Sequence, residues 1–298
     1  MKTSFQLLTS LTLPDFPSGS SINYYKEKLY LTGDDANSVL ILDKAYKTLQ
    51  SLHLFNFKEK RIPKALKADL ESSTFITLGG ADYLIVTGSA SRKVREYLLI
   101  IPVTNALPDI TRLQFIDTGP FIDRLTANAI EEVNLEGMTV MGEQLLLSNR
   151  GNLAHPVNHL IITQKDFWQN QFLSSLRLLP VDYSTFTKEM LSVSELCYEP
   201  STDLLLITFS SEASTNAYDD GVIGDSYLGY VKHAGKKIHH SVLQMDGMIQ
   251  LPRQDVAFRG EKIEGICVEE VSTHGMIIHL VSDNDLGSSR LFKCTLML

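Results

Sequence analysis

Short apolar runs of strand length recur along the chain: KLYLTGDD (28–35), YLIVTGSA (83–90), QLLLSNRG (144–151), LLLITFSS (204–211) and IIHLVSDN (277–284). Each is rich in Leu, Ile, Val, Tyr or Phe and ends in Gly, Ser, Asn or Asp, which form turns. The runs begin roughly sixty residues apart, a spacing that signals a repeat architecture. A second strand-like segment precedes each of them: SGSSINY (18–24), DLESSTF (69–75), NLEGMTV (134–140), SVSELCY (192–198) and EKIEGICV (261–268). Two more follow each of the first four pairs: SVLILD and TLQSLHLF, EYLLIIPV and ITRLQFID, NHLIIT and FLSSLRLLPV, SYLGYVKH and KIHHSVLQM. The fifth pair is followed only by SRLFKCTLML, and FQLLTSLTL near the N-terminus supplies the missing strand.

Four-stranded antiparallel units repeated in a ring make a β-propeller, whose edges stay short and protected. The expected fold is all-β: one five-bladed propeller domain over residues 1–298, four strands per blade, closed by the N-terminal strand. Six blades is the alternative, but the intervening segments 56–68, 117–133, 181–191 and 245–261 are too short for another blade.

The five innermost strands align without gaps. The first column reads Ser20, Glu71, Glu136, Ser194 and Glu264. Four residues on stand Tyr24, Phe75, Val140, Tyr198 and Val268, large residues suited to packing between blades. Strand side chains alternate with period 2, so the first column marks the mouth of the central channel. Three carboxylates meeting there repel one another, and a cation relieves the conflict. Carboxylate and hydroxyl oxygens are hard ligands suited to calcium, with magnesium the alternative. Zinc or copper would call for His or Cys, which this column lacks.

Composition narrows the function classes. The net charge is −8, and no basic stripe marks a nucleic-acid binder. The densest basic run, KEKRIPKALK (58–67), reads as a solvated loop. No apolar run reaches membrane-spanning length, so no membrane partner is expected. Three widely spaced cysteines and an N-terminus without a signal-peptide core fit a cytoplasmic address.

The Ser, Glu, Glu, Ser, Glu order resembles the calcium-activated nucleotidase (apyrase) family, five-bladed propellers that hold one central calcium with one such residue per blade. KLYLTGDD, SELCYEPSTDLLLITFSSE and KIEGICV are similar to segments of that family. The resemblance implies Ser20, Glu71, Glu136, Ser194 and Glu264 as calcium ligands. The sequence departs from the family pattern at Ala36-Asn37, at GSASRK in the second blade and at Leu135. A second resemblance is to bacterial phytase-like or esterase-like propellers, which share the EG-type strand starts and Asp-rich loops.

Loops after the second strand of each blade should ring the mouth. They carry Asp34, Asp35, Asp283 and Asp285 as candidates to orient a water as general base. Arg92, Asn149, Arg150 and Glu212 are candidate substrate-binding residues, the arginines suited to gripping phosphate or carboxylate. Three classes of function stay open. One is a metal-dependent hydrolase of phosphate esters, anhydrides or related esters, acting on a small anionic ligand. Another is a non-catalytic propeller with a structural metal, binding a small ligand or a protein on its top face. The third is a glycosidase, which needs two carboxylates flanking a sugar.

Overall fold

The computed structural model describes residues 3–212, 216, 223–283 and 287–298, and the side chains of residues 212 and 223 lie outside the description. Five sheets follow one another around a central axis. The first blade is Gly19–Tyr25, Lys28–Gly33, Ser38–Leu42 and Thr48–His53. The second is Leu70–Leu78, Ala81–Gly88, Tyr97–Thr104 and Gln114–Asp117. The third is Leu135–Met141, Gln144–Asn149, His159–Gln164 and Arg177–Asp182. The fourth is Ser192–Glu199, Leu204–Glu212, Ile223–Lys232 and Gly247–Gln250. The fifth is Lys262–Ser272, Gly275–Asp283, Ser289–Met297 and, from the other end of the chain, Ser4–Leu13. The last two pair antiparallel from Ser4↔Met297 to Leu13↔Ser289, which closes the ring as expected.

The middle strands of a blade are covered on both faces by neighbouring blades. They therefore read as continuous apolar runs, while the outermost strand Thr48–His53 is mostly exposed. Each junction between blades is a separate hydrophobic cluster. Tyr30, Leu70 and Leu84 join blades 1 and 2; Ile85, Met138 and Leu147 join 2 and 3. Leu146, Leu196 and Phe209 join 3 and 4; Leu206, Ile266 and Phe292 join 4 and 5; Ile22, Leu29 and Val281 join 5 and 1. Tyr24, Phe75, Val140, Tyr198 and Val268 pack one against each cluster, as their column predicts.

One strand expectation needs correction. KIHHSVLQM does not form the outer strand of blade 4, because residues 234–237 are a helical turn and Gly247–Gln250 takes the edge. Leu243–Gln244 instead pairs in parallel with the outer strand of blade 3. Segment 117–133 holds the helix Gly119–Ala127, whose Phe121, Ile122 and Leu125 fill the junction of blades 2 and 3.

Candidate metal centre

The first column of the alignment has a backbone signature. Every inner strand carries a β-bulge at its start, and the residue left out of the ladder is Ser20, Glu71, Glu136, Ser194 or Glu264. A bulge re-aims one side chain out of the alternation of its strand. Repeated five times, it sets these residues apart from their strands' pairing at one rim. The glycine after two of them has a packing reason: a Cβ on Gly137 would lie 2.8 Å from Leu196 N, and one on Gly265 2.8 Å from Ile22 N. Neighbouring inner strands approach too closely there for a side chain.

The five side chains do not share one environment. Ser20 Oγ donates to the carbonyl of Leu70, and Ser194 Oγ lies 3.4 Å from Ser210 Oγ. Glu136 Oε1 accepts from Arg150 Nη1 at 3.1 Å and from Asn134 Nδ2 at 2.8 Å. Glu264 faces Lys262 Nζ at 2.8 Å. Glu71 makes no hydrogen bond or ion pair among the described residues. It instead joins Asp34 and Asp69, and one carboxylate oxygen of each lies within 4.8 Å of the others. Among the described residues, this is the acidic group close enough to hold a metal ion. It sits where blade 1 meets blade 2.

Asp34 follows the end of the second strand of blade 1, and Asp69 stands two residues before Glu71. Asp69 has a left-handed backbone (φ 56°), a conformation that Asp tolerates better than most residues. Its carboxylate accepts from Lys67 Nζ at 2.8 Å, Arg95 Nη1 at 2.6 Å and Ser89 Oγ. Lys67 also pairs with Asp34 Oδ2, while Asp34 Oδ1 is buried without a hydrogen-bonding partner. Burial pushes the Asp34 carboxyl up to about 7 against the opposing pull of Lys67. Burial, then the neighbouring Glu136 charge, holds Glu71 well above the usual carboxylate range. Burial likewise pushes Glu136 up to about 7, with Arg150 opposing. A cation at Asp34, Asp69 and Glu71 would favour their ionised forms, and these oxygens fit a hard divalent ion.

The other predicted residues are placed as follows. Asp35 is buried and paired with Arg61. Asp283 lies close enough to Asp34 to raise its pKa. Asp285 and the side chain of Glu212 are outside the described residues. Arg150 reaches the ring through Glu136. Arg92 is exposed, and the buried arginine that meets the acidic group is Arg95. Asn149 is turned into the backbone, accepting from Asn134 N at 2.8 Å and donating to the carbonyl of Glu132 at 3.2 Å.

The segment 58–67, read from the sequence as a solvated loop, supplies Arg61 and Lys67 to the acids. Sequence reasoning also missed Asp69, Arg95 and Glu195. Glu195 follows ring member Ser194 and crosses the axis just inside the mouth. Its Oε2 accepts from Ser21 Oγ at 2.8 Å in blade 1, and its Oε1 from Met138 N at 2.8 Å in blade 3. The one visible signal for it was an acid in a column otherwise filled by Ser21, Ser72, Gly137 and Gly265.

Fold and site together define a five-bladed β-propeller whose acidic channel mouth carries carboxylates close enough to hold a metal ion. Residues 15–296 match a family of unknown function, DUF6929, and the chain belongs to that family. No curated protein matches it in sequence. Among solved structures it is similar to glutaminyl cyclase of Myxococcus xanthus, with 11% identity, 99% of this chain and 97% of that one covered, and a TM-score of 0.56. It is also similar to the alpha-L-arabinanase of Cellvibrio cellulosa, with 11% identity, 95% and 91% coverage and a TM-score of 0.50. At such identity the likeness is one of fold. The solved structures it resembles are propellers of varied activity, which does not single out the apyrase family.

Proposed function

We propose that the protein binds a divalent cation, calcium in the first instance, through Asp34, Asp69 and Glu71, and that it is a hydrolase of phosphate esters or anhydrides. The observation that carries this reading is Glu71, a carboxylate without a hydrogen bond or ion pair among the described residues, held within 4.8 Å of two others. The order Ser20, Glu71, Glu136, Ser194, Glu264 supports the same reading through its likeness to the calcium-activated nucleotidases. The bound cation would supply Lewis-acid polarisation of a phosphoryl oxygen.

The chain's own residues do the rest. Lys67, Arg95 and Arg150 bring positive charge to the acids of the mouth and offset charge on an anionic ligand. Asp283, close enough to Asp34 to raise its pKa, would orient an attacking water. Asp35 is tied by Arg61 and positions that arginine.

A second reading, a cation that only clamps the blades, is favoured by a different observation. Glu136 and Glu264 are already neutralised within their own blades, and Glu195 binds blades 1, 3 and 4 together.

Elemental analysis of the purified chain, with and without chelator, followed by a phosphatase, nucleotidase and esterase panel, separates the two. The hydrolase reading expects one bound calcium and turnover, both lost in Glu71→Gln. Bound calcium without turnover on any substrate leaves the clamp. No calcium after loading removes both.

A further inference from the structure

The far end of the channel is chemically unlike the mouth. Beyond Glu195 the five inner strands enclose a cavity of about 310 Å³, at the small end of the range for ligand sites. All five blades line it, so it lies on the axis. Its acidic lining residues are Glu195 and Glu199, and no Lys, Arg or His is among the described residues that line it. Four aromatic residues, Tyr24, Tyr25, Phe75 and Tyr198, complete the relevant set.

The phenol hydroxyls are committed to carboxylates. Tyr24 Oη donates to Glu27 at 2.8 Å, Tyr198 Oη to Asp203 at 3.0 Å, and Tyr25 Oη to Asp82. A phenol that donates to a carboxylate has a more electron-rich ring, so the aromatic lining is biased toward positive charge. The molecule already uses this chemistry at the rim, where Lys26 Nζ stands 4.8 Å from the centroid of the Tyr25 ring. An anion entering the cavity would meet two acids and no base.

We propose that this cavity is a binding site for a small organic cation, an alkyl or quaternary ammonium. Glu199 supplies the charge partner and Tyr24, Phe75 and Tyr198 the aromatic walls. The site stands apart from the proposed cation site at the mouth, from which Glu195 separates it.

The test uses the full chain loaded with calcium, and titration calorimetry or saturation-transfer NMR with four probes. These are tetramethylammonium, choline, the neutral isostere tert-butanol, and acetate. Both ammonium probes are expected to bind about tenfold more tightly than tert-butanol, with acetate showing no binding. Glu199→Gln and Tyr198→Leu should each weaken ammonium binding about fivefold, with unchanged circular dichroism. If Tyr198→Leu fails to fold, Glu199→Gln decides. Glu71→Gln should leave ammonium binding unchanged even where calcium is lost, so the two sites stand or fall separately. Ammonium binding no tighter than that of tert-butanol overturns the proposal. So does binding unaffected by Glu199→Gln, or binding abolished by Glu71→Gln.

Discussion

Glu71 and Glu136 occupy the same bulge in adjacent blades, yet their surroundings have opposite character. Glu136 is held by Arg150 from its own blade, at 3.1 Å, and by Asn134. Glu71 faces two further acids and has no ion-pair partner among the described residues. The backbone makes the positions equivalent, and the approach segments make them different. Blade 3 brings an arginine to its carboxylate, whereas the junction of blades 1 and 2 brings Asp34 and Asp69. A repeated position can therefore be a strut in one blade and a ligand in the next.

The largest effect expected from breaking this contrast is Arg150→Ala. It leaves Glu136 buried without its ion pair, at a cost of about 3–5 kcal/mol. For a chain of this size the melting temperature should fall by on the order of 10 °C. Adding Glu136→Gln should recover most of that loss in the same melt, because a neutral amide needs no counter-charge.

Lys67→Met should come next. It removes the ammonium shared by Asp34 and Asp69, and with it the internal cation that competes for their oxygens. The variant should melt lower than the parent in chelator but gain more from calcium, with affinity raised about tenfold by calorimetry. Equal calcium affinity in both proteins would show that Lys67 and the ion do not share ligands.

Glu71→Gln should act in the opposite sense to the arginine change. Removing a carboxyl whose ionised form is disfavoured by burial and by its acidic neighbours should stabilise the cation-free fold by about 1 kcal/mol in urea titration at pH 8 while abolishing calcium binding.

The smallest effect is in pH. Asp34, Glu71 and Glu136 all have raised pKa values, so the folded chain holds protons that the unfolded chain has released. Their contribution to stability is complete below the usual carboxylate range and is lost as pH rises through about 7, where Asp34 and Glu136 titrate. Cation-free protein should accordingly be less stable toward urea at pH 8 than these groups leave it at pH 5. Calcium should restore stability at pH 8 and do little at pH 5.

The blades were legible because every middle strand is buried on both faces and so reads as an unbroken apolar run. The ring was legible because one bulge recurs at one position in all five inner strands. The residues that complete the acidic group were not, since Lys67 and Asp69 stand on an irregular approach segment with no repeat to align. Arg95 was hidden for a related reason. A short 3₁₀ turn over Lys93–Arg95 decides which of two nearby arginines is buried, and composition ranks them equally. The same limit misplaced the outer strand of blade 4. His239 and His240 follow a helical turn that depends on Asp203, whose carboxylate accepts from Gly235 N at 2.8 Å, a contact distant in sequence.

The pairing of Ser4 with Met297 places the two ends of the described chain side by side on the outer rim. The ring then has no obligatory starting point. A linker of a few residues between those ends, with a new opening at the exposed turn of Gly79 and Gly80, would give a circular permutant. Its inner strands would meet in the same spatial order, and the acids of the mouth would be assembled from a chain that begins in blade 2.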